Sequence, residues 1–254
     1  MLSLLKKRPA PRDGRAERWT LLELDGRSVD VRVVENARTS RLTLRIVPSG
    51  NAVESLRVTV PPRTPEAEVD AFLAKNAGWA ASRLKRLPAV TKIAEGATIP
   101  LRGTDHKISH SGRARGVVAT GMEETGPVIR VHGDAAFVPR KVVDFLKRQA
   151  RADLTAAVKL HSDRLGVKAK SITLRDTTSR WGSCSTSGAL NFSWRIILAP
   201  PHVLDYLAAH EVAHLREMNH SPRFWALVEE TCPGYETPKA WLRQHGAALH
   251  AVQA

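Results

Sequence analysis

Cysteine is scarce in this chain: its 254 residues include two, Cys184 and Cys232. Two are too few for a disulfide framework and fit a reducing compartment. Acidic side chains are also short, with Asp+Glu at 25 against Lys+Arg at 39, a formal net charge of +14. That balance says nothing about fold. It would favour polyanionic partners (nucleic acid, nucleotides, ribosomes or an acidic membrane surface) unless it is only a solvated basic surface. No zinc-finger or RNP pattern supports a nucleic-acid reading. No uninterrupted apolar run is long enough to span a bilayer, so no membrane insertion is expected. At the N-terminus the apolar residues of Met1-Leu2-Ser3-Leu4-Leu5 precede the charges of Lys6-Lys7-Arg8. A secretory signal has the reverse order, so a cytoplasmic protein is expected. No internal repeat is visible, and low complexity is confined to the N-terminal tail.

The rest is ordinary globular composition, long enough to bury a real core. Residues 1–18, rich in Arg, Lys and Pro, read as a basic flexible tail. Residues 19–136 read as a β-rich domain. Leu22-Glu23-Leu24, Val29 to Val33, Leu42 to Ile46 and Leu56 to Val60 alternate apolar with polar, the period of a half-buried strand. Asp25-Gly26 signals a hairpin and Pro48-Ser49-Gly50-Asn51 another turn. A helix is predicted over about 65–87: Thr64 caps, Pro65 takes the first position, and basic residues fill the last turn. Short strands follow at Ile99, Lys107-Ile108, Val117-Val118 and Val128 to Val131. Residues 137–254 read as a second domain. It opens on a long helix from about 138, with Gly166 at its C-cap, and continues with strands at Ser171 to Arg175 and Leu190 to Leu198. Pro200-Pro201 opens a further helix. The class is α+β rather than a βαβ alternation.

The chemistry is carried by His210-Glu211-Val212-Ala213-His214. On a helix, residues four apart share a face, so two imidazoles can bind one metal ion while Glu211 projects beside them to deprotonate a bound water. Histidines and a glutamate in a mostly apolar segment need a purpose, because burying polar groups unpaired is costly. Such a site needs a third ligand and an open position. His220 lies six residues after His214, the separation of the long metzincin motif, although Glu217 replaces the glycine of that motif and no Met-turn is present. A continued helix would turn His220 about 240° away from His214, so the helix must stop between them. Asn219 tolerates a left-handed conformation, which predicts a break near Met218-Asn219. Ser221-Pro222 reads as the cap and first residue of a new helix. Glu217, Glu229, Glu230 and Glu236 are the rival third ligands.

With Met218-Asn219-His220-Ser221-Pro222-Arg223-Phe224-Trp225, Cys232-Pro233-Gly234-Tyr235, Arg180-Trp181-Gly182-Ser183-Cys184 and Val58 to Pro62, the sequence resembles the YgjP-like (DUF45) group of metal-dependent hydrolases, often grouped with the M48 metallopeptidases. The resemblance covers about residues 28–245. It implies a zincin-like fold for the C-terminal part, with Zn2+ on His210, His214 and His220 and Glu211 as the catalytic acid/base. It also implies kinship to SprT-like and WLM-type proteases, which work near DNA. It leaves the substrate open.

Other residues are candidates for substrate binding. In zincins an edge strand beside the metal pairs with an extended peptide, and Asn191, Phe192 and Ser193 fall on the strand before the metal helix. Arg180 could clamp a carboxylate or phosphate, or tie loop to helix. Tyr235 could hydrogen-bond a tetrahedral intermediate, or be core. Cys184 could approach the zinc as a thiolate, or simply fill space. Asp205, five residues before His210, points off the metal face. The expected function is metal-assisted hydrolysis of an amide bond in a peptide or protein. The alternatives are a phosphohydrolase acting on nucleotides, and a basic nucleic-acid-associated adaptor with a vestigial metal site.

Overall fold

A computed structural model describes residues 17–47, 55–85, 88–177 and 180–254. Most of the expected basic tail and the turn at 48–51 lie outside the described residues. The α+β class is what the chain adopts: small sheets alternate with long helices. The chain divides into two compact units, Met1–Leu87 and Pro88–Ala254.

In the first unit, β1 (Glu17–Leu24), β2 (Arg27–Glu35), β3 (Thr43–Val47) and β4 (Ser55–Val60) form one sheet in the order β1-β2-β4-β3. The β2–β4 pair is parallel and the other two are antiparallel. The β1–β2 turn is the predicted Asp25-Gly26, with both residues at positive φ (51° and 77°) as a two-residue hairpin demands. Helix α1 (Glu66–Lys85) buries Val69, Leu73 and Ala80 in one core with Val31, Leu56 and Val58.

The second unit begins at β5 (Thr91–Lys92). It continues through β6 (Thr98–Leu101), β7 (Thr104–His110), β8 (Ala119–Glu123) and β9 (Gly126–Val131), in the sheet order β6-β7-β9-β8. Here too the second strand pairs parallel with the fourth, the other pairs are antiparallel, and a two-residue turn at positive φ (Arg102-Gly103) closes the first hairpin. A long helix, α2 (Val138–Leu165), follows this sheet as α1 follows the first. The same topology thus occurs twice, a repeat that residue-by-residue reading did not expect. It is preserved in strand order and turn geometry rather than in residue identity.

The sequence places a domain boundary at 136/137, whereas the units divide at 87/88. The reason is the core. Ile99, Leu101, Ile108, Ile129 and Val131 pack in one cluster with Val142, Leu146 and Leu154 of α2, so the second sheet cannot be cut away from the helix after it. Helix α2 ends as predicted at Gly166, left-handed at φ 61°. The strand predicted at Val117-Val118 starts two residues later, and Val117 is exposed.

Beyond α2 lie β10 (Ser171–Arg175), β11 (Gly182–Cys184), β12 (Ala189–Ser193), α3 (Pro201–Ala213), α4 (Pro222–Thr231), α5 (Glu236–His250) and β13 (Val252–Gln253). The strand predicted over Leu190 to Leu198 stops at Ser193, and Trp194–Leu198 is a 3-10 turn. All five turn residues are buried. The alternation of apolar and polar residues runs on from Leu190 to Ile196, past the end of the strand, so period alone could not mark where strand gives way to buried turn. That turn is held from outside. Arg102 and Gly103 donate their N–H groups to the Ile197 and Leu198 carbonyls at 2.8 and 3.1 Å. The Arg102 guanidinium makes a two-pronged bond to Asp153 of α2, both contacts at 2.8 Å. Gly103 is required there, since a Cβ would stand 2.9 Å from Cγ of Pro200, the residue that opens α3. The second sheet therefore fixes where the HExxH helix begins. Among the described residues, no helix is long and apolar enough to cross a membrane.

Candidate metal centre

Helix α3 starts on Pro201, whose fixed φ and missing N–H suit a first helical position. It is buried on nearly every side (Val203, Leu204, Leu207, Ala208, Val212), so its polar residues are brought into the interior by the apolar ones around them. His210 and His214 stand one turn apart, ring centroids 5.0 Å. The helix ends at Ala213, earlier than the break predicted near Met218-Asn219. Its last turn tightens: Leu215 and Arg216 donate to the Val212 and Ala213 carbonyls in i→i−3 bonds. No left-handed residue is used, and Asn219 has no positive φ. The chain then curls back, and Ser221 caps α4 as expected, accepting from the Phe224 N–H at 3.3 Å.

This bend returns His220 to the other two rings, at centroid distances of 5.1 Å from His210 and 4.8 Å from His214. One ligand atom from each of the three lies within 4.8 Å of the others, and among the described residues no carboxylate or thiol joins them. Of the rival ligands, Glu217 enters only through its backbone, whose carbonyl lies 3.0 Å from His214 Nδ1. That bond fixes the tautomer with the proton on Nδ1 and leaves Nε2 free to bind a metal. The Nε2 atoms of His210 and His220 face each other at 3.2 Å. Nitrogens bound tetrahedrally at ~2.0–2.1 Å stand about 3.3 Å apart, so the residues fit a zinc ion. Burial, then the neighbouring His214 and His220, push His210 down to about 3. Burial also lowers His214, partly offset by its bond to Glu217. Neutral imidazoles are the form that ligates.

Glu211 is 4% exposed, its Oε2 has no hydrogen-bond partner, and burial raises its carboxyl to about 8. Against it lies Gly182 of β11, where a Cβ would stand 2.2 Å from Glu211 Oε1. Sequence reading passed over this glycine inside Arg180-Trp181-Gly182-Ser183-Cys184. A glycine within a strand marks a close approach, but no strand is predicted at 182–184, where the structure has β11. Cys184 is outside the histidine cluster. Burial and then the Glu211 charge raise its thiol, the opposite of what a zinc thiolate needs.

Aromatic rings wall the histidines. Phe224, fully buried, stacks on His214 at 4.4 Å, and Trp225 stacks on His220 at 5.8 Å. Tyr235 lies flat on Trp225 at 5.2 Å and on Tyr206 at 6.3 Å, with the Lys239 ammonium 3.9 Å over the Trp225 ring. Phe224→Ala should destabilise the protein by about 3–5 kcal/mol, read as a lower urea midpoint, and should weaken metal retention by freeing the His214 ring. A change under about 1 kcal/mol would show that this packing is not needed.

The remaining candidates, Tyr235 apart, meet at a cleft that Gly182 also lines. Arg180, Asn191, Phe192 and Ser193 all line an open cleft of about 330 Å³, together with Gly182 itself. Tyr235 is not among its walls. The strand-addition reading of Asn191, Phe192 and Ser193 is overturned by topology. β12 is the middle strand, parallel to β10 on one side and antiparallel to β11 on the other, so both of its edges are occupied. Among the described residues β11 is an outer strand of this sheet, and its Gly182 lies against Glu211. Asp205 is turned away from the three histidines, as expected, and meets His161 Nε2 at 3.1 Å.

The family model for the YgjP-like metallopeptidase domain matches residues 40–245. The chain belongs to the YgjP-like family. The sequence resemblance is thereby borne out, and with it the coarse function of a metal-dependent peptidase. No curated protein matches the chain. Among solved structures, the metallopeptidase zymogen abylysin of Pyrococcus abyssi is similar over 36% of this chain and 93% of its own, at 20% identity and a TM-score of 0.33. That likeness is too slight to carry an argument.

Proposed function

We propose that this chain is a zinc-dependent peptidase in which His210, His214 and His220 hold the ion and Glu211 is the acid and base for hydrolysis of an amide bond. One observation carries the reading: three imidazoles converge to within 4.8 Å, beside a buried carboxylate with an unpartnered oxygen. A zinc ion bound there would act as a Lewis acid, lowering the pKa of water and polarising a carbonyl. The side chains do the rest. Glu211 takes the proton from the attacking water and later delivers it to the leaving amine. Burial raises its affinity for the proton it carries from one to the other. Glu217 holds the His214 ring through its carbonyl, and Phe224 packs against the same ring. The catalytic unit on this reading is 88–254, since the second sheet seats α3. Two free thiols suit the cytoplasmic setting proposed for it.

Family membership favours peptide bonds over nucleotide phosphoesters and over an adaptor role. The test is elemental analysis of purified protein. Wild type should carry one zinc ion per chain. His220→Ala should retain far less and lose peptide turnover. Wild type devoid of any transition metal, or His220→Ala with undiminished metal, would sink the proposal.

A further inference from the structure

The cleft beside Gly182 has a one-sided charge. Arg175 and Arg180 both line it, its polar walls include Thr177, Ser183 and Asn191, and no Asp or Glu is among its lining residues. Some arginines of this unit are paired with acids, such as Arg102 with Asp153, Arg130 with Glu123 and Arg195 with Asp176. Arg175 and Arg180 have no acidic partner among the described residues. Arg175 is instead steadied by a neutral group. Its Nε donates to Asn191 Oδ1 at 3.3 Å, and Asn191 Nδ2 in turn donates to Ser183 Oγ at 3.5 Å. That tie occupies the Nε–H and leaves the terminal N–H groups of the guanidinium for another acceptor. Two guanidinium groups lining one cleft that has no acidic wall can meet an anion, and their planar forks match a carboxylate.

Position relates the cleft to the reaction. Gly182 lines it and also lies against the Glu211 carboxylate. A peptide group at Glu211 would therefore have the cleft within reach of a neighbouring part of the same chain. A volume of about 330 Å³ accommodates a side chain or a chain end, not a folded domain.

We infer that this cleft is a subsite for a carboxylate of the peptide substrate, read by Arg175 and Arg180; the inference rests on the peptidase reading above. The carboxylate could belong to an internal Asp or Glu or to the substrate's C-terminus, and the experiment separates the two. Full-length, zinc-loaded Glu211→Gln protein is titrated with fluorescent peptides in matched pairs. One pair is amidated and differs only by Glu against Gln. The other contains Gln and differs only by a free against an amidated C-terminus.

In one of the pairs the anionic member should bind at least about tenfold more tightly. Adding Arg175→Gln and Arg180→Gln should bring that ratio below about twofold and leave the neutral member's affinity unchanged. Ratios near one in both pairs, or a ratio indifferent to the two arginines, would overturn the inference. So would tighter, arginine-dependent binding of a nucleoside triphosphate, which would make the cleft a phosphate reader. Wild-type turnover is followed separately. Carboxylate preference without hydrolysis of any peptide overturns the peptidase reading and keeps the subsite. Hydrolysis without carboxylate preference does the reverse.

Discussion

Glu211→Gln is expected to lower kcat for peptide hydrolysis by about 10²–10⁴-fold, the usual contribution of a positioned acid/base, with zinc content unchanged. Glutamine keeps the shape and removes the titrating proton, and position 211 is not among the clustered ligand atoms. The pairing of retained metal with lost turnover separates a proton carrier from a metal ligand. Zinc lost along with activity would reassign Glu211 to the metal.

The same variant changes how stability depends on pH in chelator-treated protein. The folded-state carboxyl sits at about 8, raised by burial, above its ordinary value of 4.5. A raised acid favours the folded state at low pH. That contribution fades as pH rises, because the unfolded chain ionises first. The lowered histidines act in the opposite sense, but only below their ordinary 6.5. Between about 6.5 and 8, then, chelated wild type should lose stability with rising pH, and Glu211→Gln should lose less. Parallel urea midpoints for the two proteins across that window would contradict the burial argument.

Gly182→Ala should be nearly as damaging to turnover. A methyl group at that position would stand 2.2 Å from Glu211 Oε1, 2.7 Å from Cδ and 2.8 Å from Cγ. The carboxylate must move, and a misplacement of this kind can cost ~10²-fold in rate. Overpacking should add about 1–3 kcal/mol of destabilisation. The histidines are not in that contact, so the variant should still load with zinc. If Gly182→Ala retained wild-type kcat, Glu211 would have room to rearrange and the glycine would have no positioning role.

The local pieces of the metal site were legible because each depends on chain-local geometry. His210 and His214 are four apart on an apolar helix, and no alternative conformation of that segment separates their faces. Ser221-Pro222 is a cap with a first helical residue, and it forms as written. That a helix must break before His220 follows from rotation per residue. The break itself comes after Ala213, earlier than Met218-Asn219. The tightened turn after Ala213 depends on carbonyls finding i→i−3 donors, and no residue type announces that.

What the sequence by itself determined is the chemistry on offer: two imidazoles and a carboxylate on one helix, a third imidazole brought back by a bend, and the α+β class from its periodicities. Only the tertiary structure decided what meets what. It made β12 an inner strand, packed the second sheet with α2 in one core, laid Gly182 against Glu211, and gathered Arg175 and Arg180 into one cleft. The physical reason is range. Helical rotation, strand alternation and capping act over a few residues and leave a signature in them. Sheet order and close approach join residues tens of positions apart, through packing that no single segment encodes.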